Sequence, residues 1–513
     1  MRKTATISKA LHYVRIFDYH EEFAEKVIRP FCRLHFYQTS MKPDPITRTL
    51  QRKIDHIFAR SNHDKTEYRF TVSLFKQFME FVQYRGYDPA RVMVLEEPII
   101  EPVKVKFEFN PGFEKPRDEN QEDWIGYMLD DSQGNGYLKV NNDNTGGGKG
   151  YMAIHAMVKR GYRTLITMQP RYIPIWKNEL NKFIKMETED LVVWEHSLPK
   201  LAEALRKGII NPKVLILPMS RVEPFLRKKE IPDPVDLDDI IKLLRPGLRI
   251  IEEAHEAVHQ VYSALMYGNV KHTVPLSATL RADDTFVNRV YEWMYPIPIR
   301  FKEADPQHYI DTIALLYKIN VRKYKIKWER YGMYDDKVFE ESILANKVVF
   351  DFYFELWDKA FQEWYVSRRE EGTKALFFFS RKEMCKEMQR KFLERYPGWD
   401  METFLASEEK DKEKYKKHEI LFTTQGSCGT GKDIPGLIAV FCSHTVNSTQ
   451  TNGQMIGRLR ELFKLFGGLL EPIFVFGVCV DIDKHLACME KRKTAFAKKM
   501  KRFRRMNLEC ALE

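Results

Sequence analysis

Gly136-Tyr137-Leu138-Lys139-Val140, then two asparagines, then Asp143-Asn144-Thr145-Gly146-Gly147-Gly148-Lys149-Gly150, then YMAIHAMVKRGY from Tyr151: this stretch decides how the whole chain is read. A strand-like run passes through a glycine turn into a helix-like run. Glycines let backbone N–H groups approach phosphate oxygens closely, and a lysine at a helix start can neutralise the β and γ phosphates of a nucleotide. Taken alone, the string also fits a flexible turn without a ligand, so the order of the surrounding elements decides.

Working outward, short apolar runs recur between helix-like stretches: RTLITM from Arg163, KVLIL from Lys213, LRII from Leu248 and HTVPLSAT from His272. This alternation predicts a parallel α/β sheet. A second series, KALFFF from Lys374, EILFTT from Glu419, LIAVFC from Leu437 and PIFVFGV from Pro472, predicts another. The expected organisation is an N-terminal α+β DNA-binding domain over 1–110, a first α/β domain over 111–305, a charged and aromatic linker excursion over 306–334, and a second α/β domain over 335–490. A basic tail over 491–513, read as a helix, closes the chain.

About a hundred residues beyond Lys149, an apolar strand ends in Ile251-Glu252-Glu253-Ala254-His255. A strand-terminal acid can hold Mg²⁺, and its neighbour can orient an attacking water. An acidic helix start would look similar, but Ser277-Ala278-Thr279 follows another apolar strand at the spacing of a motor's coupling motif. The third signal runs from Thr423 to Pro435 and includes Thr424, Gly431 and Asp433; a strand joins it to Gln454-Met455-Ile456-Gly457-Arg458-Leu459-Arg460. An arginine brought to a γ phosphate stabilises charge in the transition state.

In this order the motifs resemble those of superfamily 2 helicases, with IEEAH where those proteins carry a DExH box. The stretch GSCGTGKDIPGLIAVFCSHTVNSTQTNGQMIGRLR from Gly426 is similar to the matching region of phage UvsW-type branch-migrating DNA helicases. RFTVSLFKQFMEFVQYRGYDP from Arg69 resembles the end of their small N-terminal domain. The resemblance implies tandem RecA-like domains, ATP and Mg²⁺ as cofactors, and remodelling of single-stranded and branched DNA.

It further implies that Gln121 reads adenine and that Thr145, Gly146, Gly147, Gly148 and Lys149 hold phosphate, with Gly431 and Asp433 lining the nucleotide. Glu252 would bind the metal, Glu253 the water and Arg458 the γ phosphate, with Gln454 closing the site; His255, Ser277 and Thr279 would couple nucleotide state to DNA grip. Gln169, Arg171, Ser380, Arg381 and Thr424 take the positions that touch the nucleic-acid backbone.

Three positions depart from the pattern. Gly150 stands where a Ser or Thr hydroxyl reaches Mg²⁺, Glu252 stands where Asp is usual, and Glu461 stands where a second arginine belongs, with Arg460 the available substitute. Gly150 keeps open a non-hydrolysing DNA-binding scaffold. An RNA helicase would share every motif, because phosphate contacts do not reveal the sugar.

Composition agrees with a polyanionic partner. The 513 residues carry 83 Lys plus Arg against 72 Asp plus Glu, a net charge of +11; clustered cations gain from phosphate neutralisation. Nine of the fifteen residues from Lys491 to Arg505 are basic, with Phe496 and Phe503 interleaved. Lys498, Lys501 and Arg502 are candidate DNA contacts there, against a solvated helix whose phenylalanines pack on the second domain. Arg29, Arg33, Arg48, Arg52 and Lys53 are a second candidate basic surface, whereas Phe31, Phe36, Phe78 and Phe81 read as core.

Seven scattered cysteines without a CxxC pair fit a reducing compartment. The early charges exclude a signal peptide, and the most apolar stretch, near Pro472 to Val480, is too short to span a bilayer. A soluble cytoplasmic chain with no membrane partner is expected.

Overall fold

The structure is a computed structural model that describes residues 3–43, 50–57, 67–132, 137–143, 147–227, 235–278, 280, 282, 284–301, 308–409, 411, 413–428, 434–446, 448–459, 470–497 and 499–513. They divide into two compact units, 3–143 with 147–301, and 308–513. Each unit is built on a parallel sheet, as the strand–helix alternation predicts.

The strands of the first unit are β1 (Ala5–Lys9), β2 (Tyr13–Phe17), β3 (Tyr37–Pro43), β4 (Leu50–His56), β5 (Tyr68–Thr71), β6 (Val92–Glu96), β7 (Thr164–Met168), β8 (Leu191–Val193), β9 (Val214–Pro218), β10 (Leu248–Ile251) and β11 (His272–Pro275). The parallel sheet has the order β11-β10-β7-β9-β8. Its central strands read as continuous apolar runs because both faces are covered. Leu165, Leu215 and Ile251 face one core, while Ile166, Ile216 and Ile250 face the other. Segment 137–141, expected as a strand, runs parallel to β11: the Lys139 N–H donates to Thr273 O (3.0 Å) and the Asn141 N–H to Pro275 O (2.9 Å). The glycine turn therefore leaves the same sheet edge as the segments that follow β7, β10 and β11.

The N-terminal region forms a sheet of order β5-β2-β1-β6 and a β3-β4 ladder. Its core is continuous with that of the α/β part. Phe31, Phe36 and Phe78 are core, as expected, but they share one cluster with Tyr262, Tyr291 and Met294 of the α/β part. Arg69, enclosed at this junction, pairs with Glu67 at 2.5 Å and Asp238 at 2.6 Å.

The second unit contains β12 (Ile310–Ile319), β13 (Glu329–Arg330), β14 (Met333–Tyr334), β15 (Lys374–Phe379), β16 (Met401–Phe404), β17 (Ile420–Thr424), β18 (Leu437–Cys442), β19 (Ile473–Cys479) and β20 (Met500–Leu512). All but β13 and β14 form one parallel sheet of order β16-β17-β15-β18-β19-β12-β20. Two expectations are corrected here. The stretch 306–334 is more than a linker, since β12 pairs with β19 on one side and β20 on the other. Its strand, IDTIALLYKI, carries Asp311 and Lys318 and lies in a charged stretch, so its apolar signal is weak.

The basic tail is also not one helix. A helix spans Asp483–Phe496, and the chain then turns into β20. Phe503 faces one core and Met506 the other, the period of two that a strand requires. Lysines and arginines on such an edge discourage further strand pairing. Phe496 is fully buried.

Candidate functional site

The glycine turn is built for a close approach. Lys149 opens the helix Lys149–Arg160, and Gly148 before it has φ 90, a left-handed backbone that side chains resist. A Cβ on Gly148 would lie 2.5 Å from Gln121 Nε2. That amide donates to Gly147 O at 2.9 Å, and its Oε1 accepts from the Arg117 N–H at 3.0 Å. Gln121 is thus locked against the turn, with one amide hydrogen and one lone pair left for another partner. Lys149 Nζ donates to Asp143 O at 3.1 Å.

At the end of β10 the chain bends through Glu253, at φ 45. Its neighbours are tied to the sheet: the Glu252 N–H donates to Thr167 O (3.0 Å) and the Ala254 N–H to Leu276 O (2.9 Å). His255 Nδ1 lies 3.1 Å from Glu253 Oε2 and 2.9 Å from Ser277 Oγ. The expected coupling pair, His255 and Ser277, is therefore in contact beside the expected water-orienting acid.

The two acids differ electrostatically. Burial, then the neighbouring Glu253 charge, pushes Glu252 well above the usual carboxylate range. Burial opposes the charge of Glu253 too, but His255, Lys149 and Arg171 outweigh it and hold the group low. Lys149 acts on both, so it and the acid pair occupy one neighbourhood. Glu252 Oε2 is buried with no hydrogen-bond partner among the described residues.

Sequence reasoning missed Trp176 and Glu179, which lie on the helix Ile173–Phe183. The Trp176 indole supports the charge of Glu252, and the Glu179 carboxylate adds repulsion. A Cβ placed on Gly150 would overlap Glu179 Oε2 and come within 3.1 Å of Glu179 Cδ. Burial pushes Glu179 up to about 7, with Lys182 offsetting part of the effect. Only the missing side chain at position 150 hinted at a neighbour in that space.

Arg171, expected on nucleic acid, pairs with Glu256, which also accepts from Tyr172 Oη at 2.8 Å. Its side chain remains about half exposed at 54%. Gln169 follows the end of β7 and is partly buried.

In the second unit, Ser380, Arg381 and Thr424 line one open depression of ≈ 590 Å³, together with Lys382, Gln425 and His444. Glu340 organises its wall. The buried carboxylate accepts from the Ser380 N–H (2.9 Å), the Arg381 N–H (2.8 Å) and Ser443 Oγ (2.7 Å). His444 is pushed up to about 9, since Cys442, Asp336 and Glu340 outweigh the burial that opposes its charge. The sequence offered no signal for Glu340, which lies forty residues ahead of Ser380.

Arg458 is buried, and Gln454 lies on the helix Thr449–Ile456. Lys501 and Arg502 stand on β20, both paired with Glu471. Arg29 pairs with Glu21 and Glu25 rather than standing clear. Thr145, Gly146, Thr279, Gly431, Asp433, Arg460, Lys498 and Arg48 lie outside the described residues. All seven cysteines are buried thiols outside any disulfide, and no helix among the described residues is long and apolar enough to cross a membrane.

No family model and no curated protein matches the chain. Among solved structures, S. cerevisiae Dbp5 bound to RNA and ADP BeF3 is similar at 13% identity, covering 76% of this chain and 89% of its own, with a TM-score of 0.47. T4 UvsW is similar at 15% identity over 98% of this chain and 100% of its own, with a TM-score of 0.34. The Pyrococcus furiosus Hef helicase domain is similar at 11% over 73% and 97%, with a TM-score of 0.43. Likeness at these values assigns no activity, substrate or partner to this chain.

Proposed function

We propose that this chain is a nucleic-acid-stimulated ATPase of helicase superfamily 2 that uses ATP with Mg²⁺ to remodel branched DNA such as forks, D-loops and Holliday junctions. The observation that carries the reading is the convergence, at one edge of one parallel sheet, of a glycine turn with Lys149 at a helix start and the pair Glu252 and Glu253. Ligands of α/β sheets bind at the carboxyl ends of strands, where helix N-termini and loops meet. The residues suit the cofactor, since Glu252 carries a buried oxygen that no donor among the described residues satisfies.

When bound, ATP with Mg²⁺ supplies the phosphoryl group and neutralises part of its charge. Lys149 exchanges its bond to the Asp143 carbonyl for the β and γ phosphates, and the turn offers backbone N–H groups beside it. Glu252 holds the cation. Glu253, kept ionised, accepts a hydrogen bond from the attacking water and orients it. His255 links that acid through Ser277 to the end of β11, a direct path from the nucleotide to the sheet. Gln121 meets the base with its remaining donor and acceptor.

Arg458 and Gln454 are assigned to the γ phosphate, and Ser380, Arg381 and Thr424 to the backbone of the nucleic acid. Such contacts position a strand without reading its sequence. DNA is favoured over RNA by the similarity of the Gly426–Arg460 region to branch-migrating DNA helicases.

Steady-state ATP hydrolysis, measured with no nucleic acid, single-stranded DNA, forked DNA and RNA, tests the reading. The expected result is turnover stimulated most by forks and lowered by about 10²-fold or more in Lys149→Ala and Glu253→Gln. Stronger stimulation by RNA would replace the DNA assignment. Turnover equal to that of the two variants on every substrate would leave a DNA-binding scaffold.

A further inference from the structure

We propose that Glu179 replaces the missing hydroxyl of the glycine turn, its carboxylate occupying the space of the absent side chain at position 150 and joining Glu252 as a second ligand of the nucleotide's divalent cation. The proposal rests on the nucleotide reading above and assigns a residue that the motifs do not contain.

Three observations support it. The first is steric: the volume that a Ser or Thr side chain at position 150 would fill is taken by the Glu179 carboxylate, close enough for a Cβ to overlap Oε2. A side chain at 150 and the Glu179 carboxylate in its present place therefore exclude each other, so that one of the two must shift.

The second is placement. Trp176 and Glu179 stand three residues apart on the helix Ile173–Phe183, so they share a face. Trp176 reaches Glu252, and Glu179 acts on the same acid by charge. The third is electrostatic. Two carboxylates near one another in a poorly solvated site repel, and they persist together where a cation bridges their charge. Glu252 Oε2, buried and without a hydrogen-bond partner among the described residues, is available to such a cation. Mg²⁺ at nucleotide sites takes one or two carboxylates with phosphate oxygens and waters, and this pair meets that number.

The test is a titration of Mn²⁺ into the full chain with saturating ADP, followed by electron paramagnetic resonance of free Mn²⁺. ADP affinity is measured separately in EDTA. Glu179→Gln keeps the shape of the side chain and removes its charge. The expected result is a loss of Mn²⁺ affinity of about 10-fold or more, with metal-free ADP binding unchanged or tighter.

A second pair of variants checks this exclusion. Gly150→Ser alone is expected to lower the melting temperature through its clash with Glu179. Gly150→Ser with Glu179→Ala is expected to relieve the clash and recover most of the Mn²⁺ affinity by restoring a hydroxyl ligand. Unchanged Mn²⁺ affinity in Glu179→Gln overturns the proposal, and so does a parallel loss of metal-free ADP binding, which marks a structural role. Absence of ADP binding by the unaltered chain overturns the nucleotide reading itself and this proposal with it.

Discussion

Glu252 in the first unit and Glu340 in the second are both carboxylates in poorly solvated sites near the end of a parallel strand, yet they are opposites. Glu340 is 1% exposed and accepts hydrogen bonds from two backbone N–H groups and a serine. Glu252 has an oxygen that no donor among the described residues reaches, a second acid beside it and a third across from it. A buried charge that the fold satisfies itself is structural, whereas one left unsatisfied marks the place of a ligand. The first unit concentrates its electrostatic cost at the proposed nucleotide position, and the second uses its buried carboxylate to shape the loop that carries Ser380 and Arg381.

The largest effect should come from breaking the satisfied site. Glu340→Ala strands two backbone donors and a hydroxyl, at a cost on the order of 3 kcal/mol. Urea unfolding of the full chain, with amide exchange followed at Ser380 and Arg381, should show early opening there. A change below about 1 kcal/mol would remove the contrast, because Glu340 would then contribute no more than an exposed acid.

The same experiment on the unsatisfied site should give the opposite sign. Glu252→Gln removes a repelled charge, so without nucleotide it should be neutral or stabilising by about 1 kcal/mol, while Mg²⁺-dependent ADP binding is lost. A destabilisation as large as that of Glu340→Ala would show that Glu252 is structural after all.

A pH-dependent effect concerns the junction of the N-terminal sheet with the α/β part. His12 Nε2 lies 3.3 Å from Val270 O and 3.0 Å from Thr273 Oγ1, and burial followed by the Arg249 charge pushes it down from 6.5 to about 3. The unfolded chain therefore binds a proton that the folded chain refuses. This contribution is intact above pH about 6.5 and is lost as pH falls toward 3, by at most about 1.4 kcal/mol per pH unit. His12→Gln should flatten the slope of stability against pH between about 6.5 and 4 in acid unfolding. Equal slopes would show that the junction opens before His12 titrates.

Much of this architecture was legible because its signals are local. Strands covered on both faces must be apolar along their length, so RTLITM, KVLIL and KALFFF announced themselves, and the glycine turn, the acid pair and Ser277 followed at fixed positions after strands. β12 and β20 were not legible, because strand pairing across nearly two hundred residues leaves no mark in either segment, and a basic run suits a helix as well as an edge strand. Nor was the shared core of Phe36 with Tyr262, since apolar periodicity says that a face is buried but not against what.

The sequence by itself determined the two α/β repeats, the order of the motifs and the chemistry each motif can perform, because hydrophobic period and residue type act over a few neighbours. Only the tertiary structure decided that the N-terminal sheet shares the first unit's core, that the C-terminal basic run closes the second sheet, and that Glu179 fills the space Gly150 leaves empty. These depend on distances through space between residues remote in the chain, and a Gly150 read without Glu179 looks like a loss when the volume beside it is already occupied by a carboxylate.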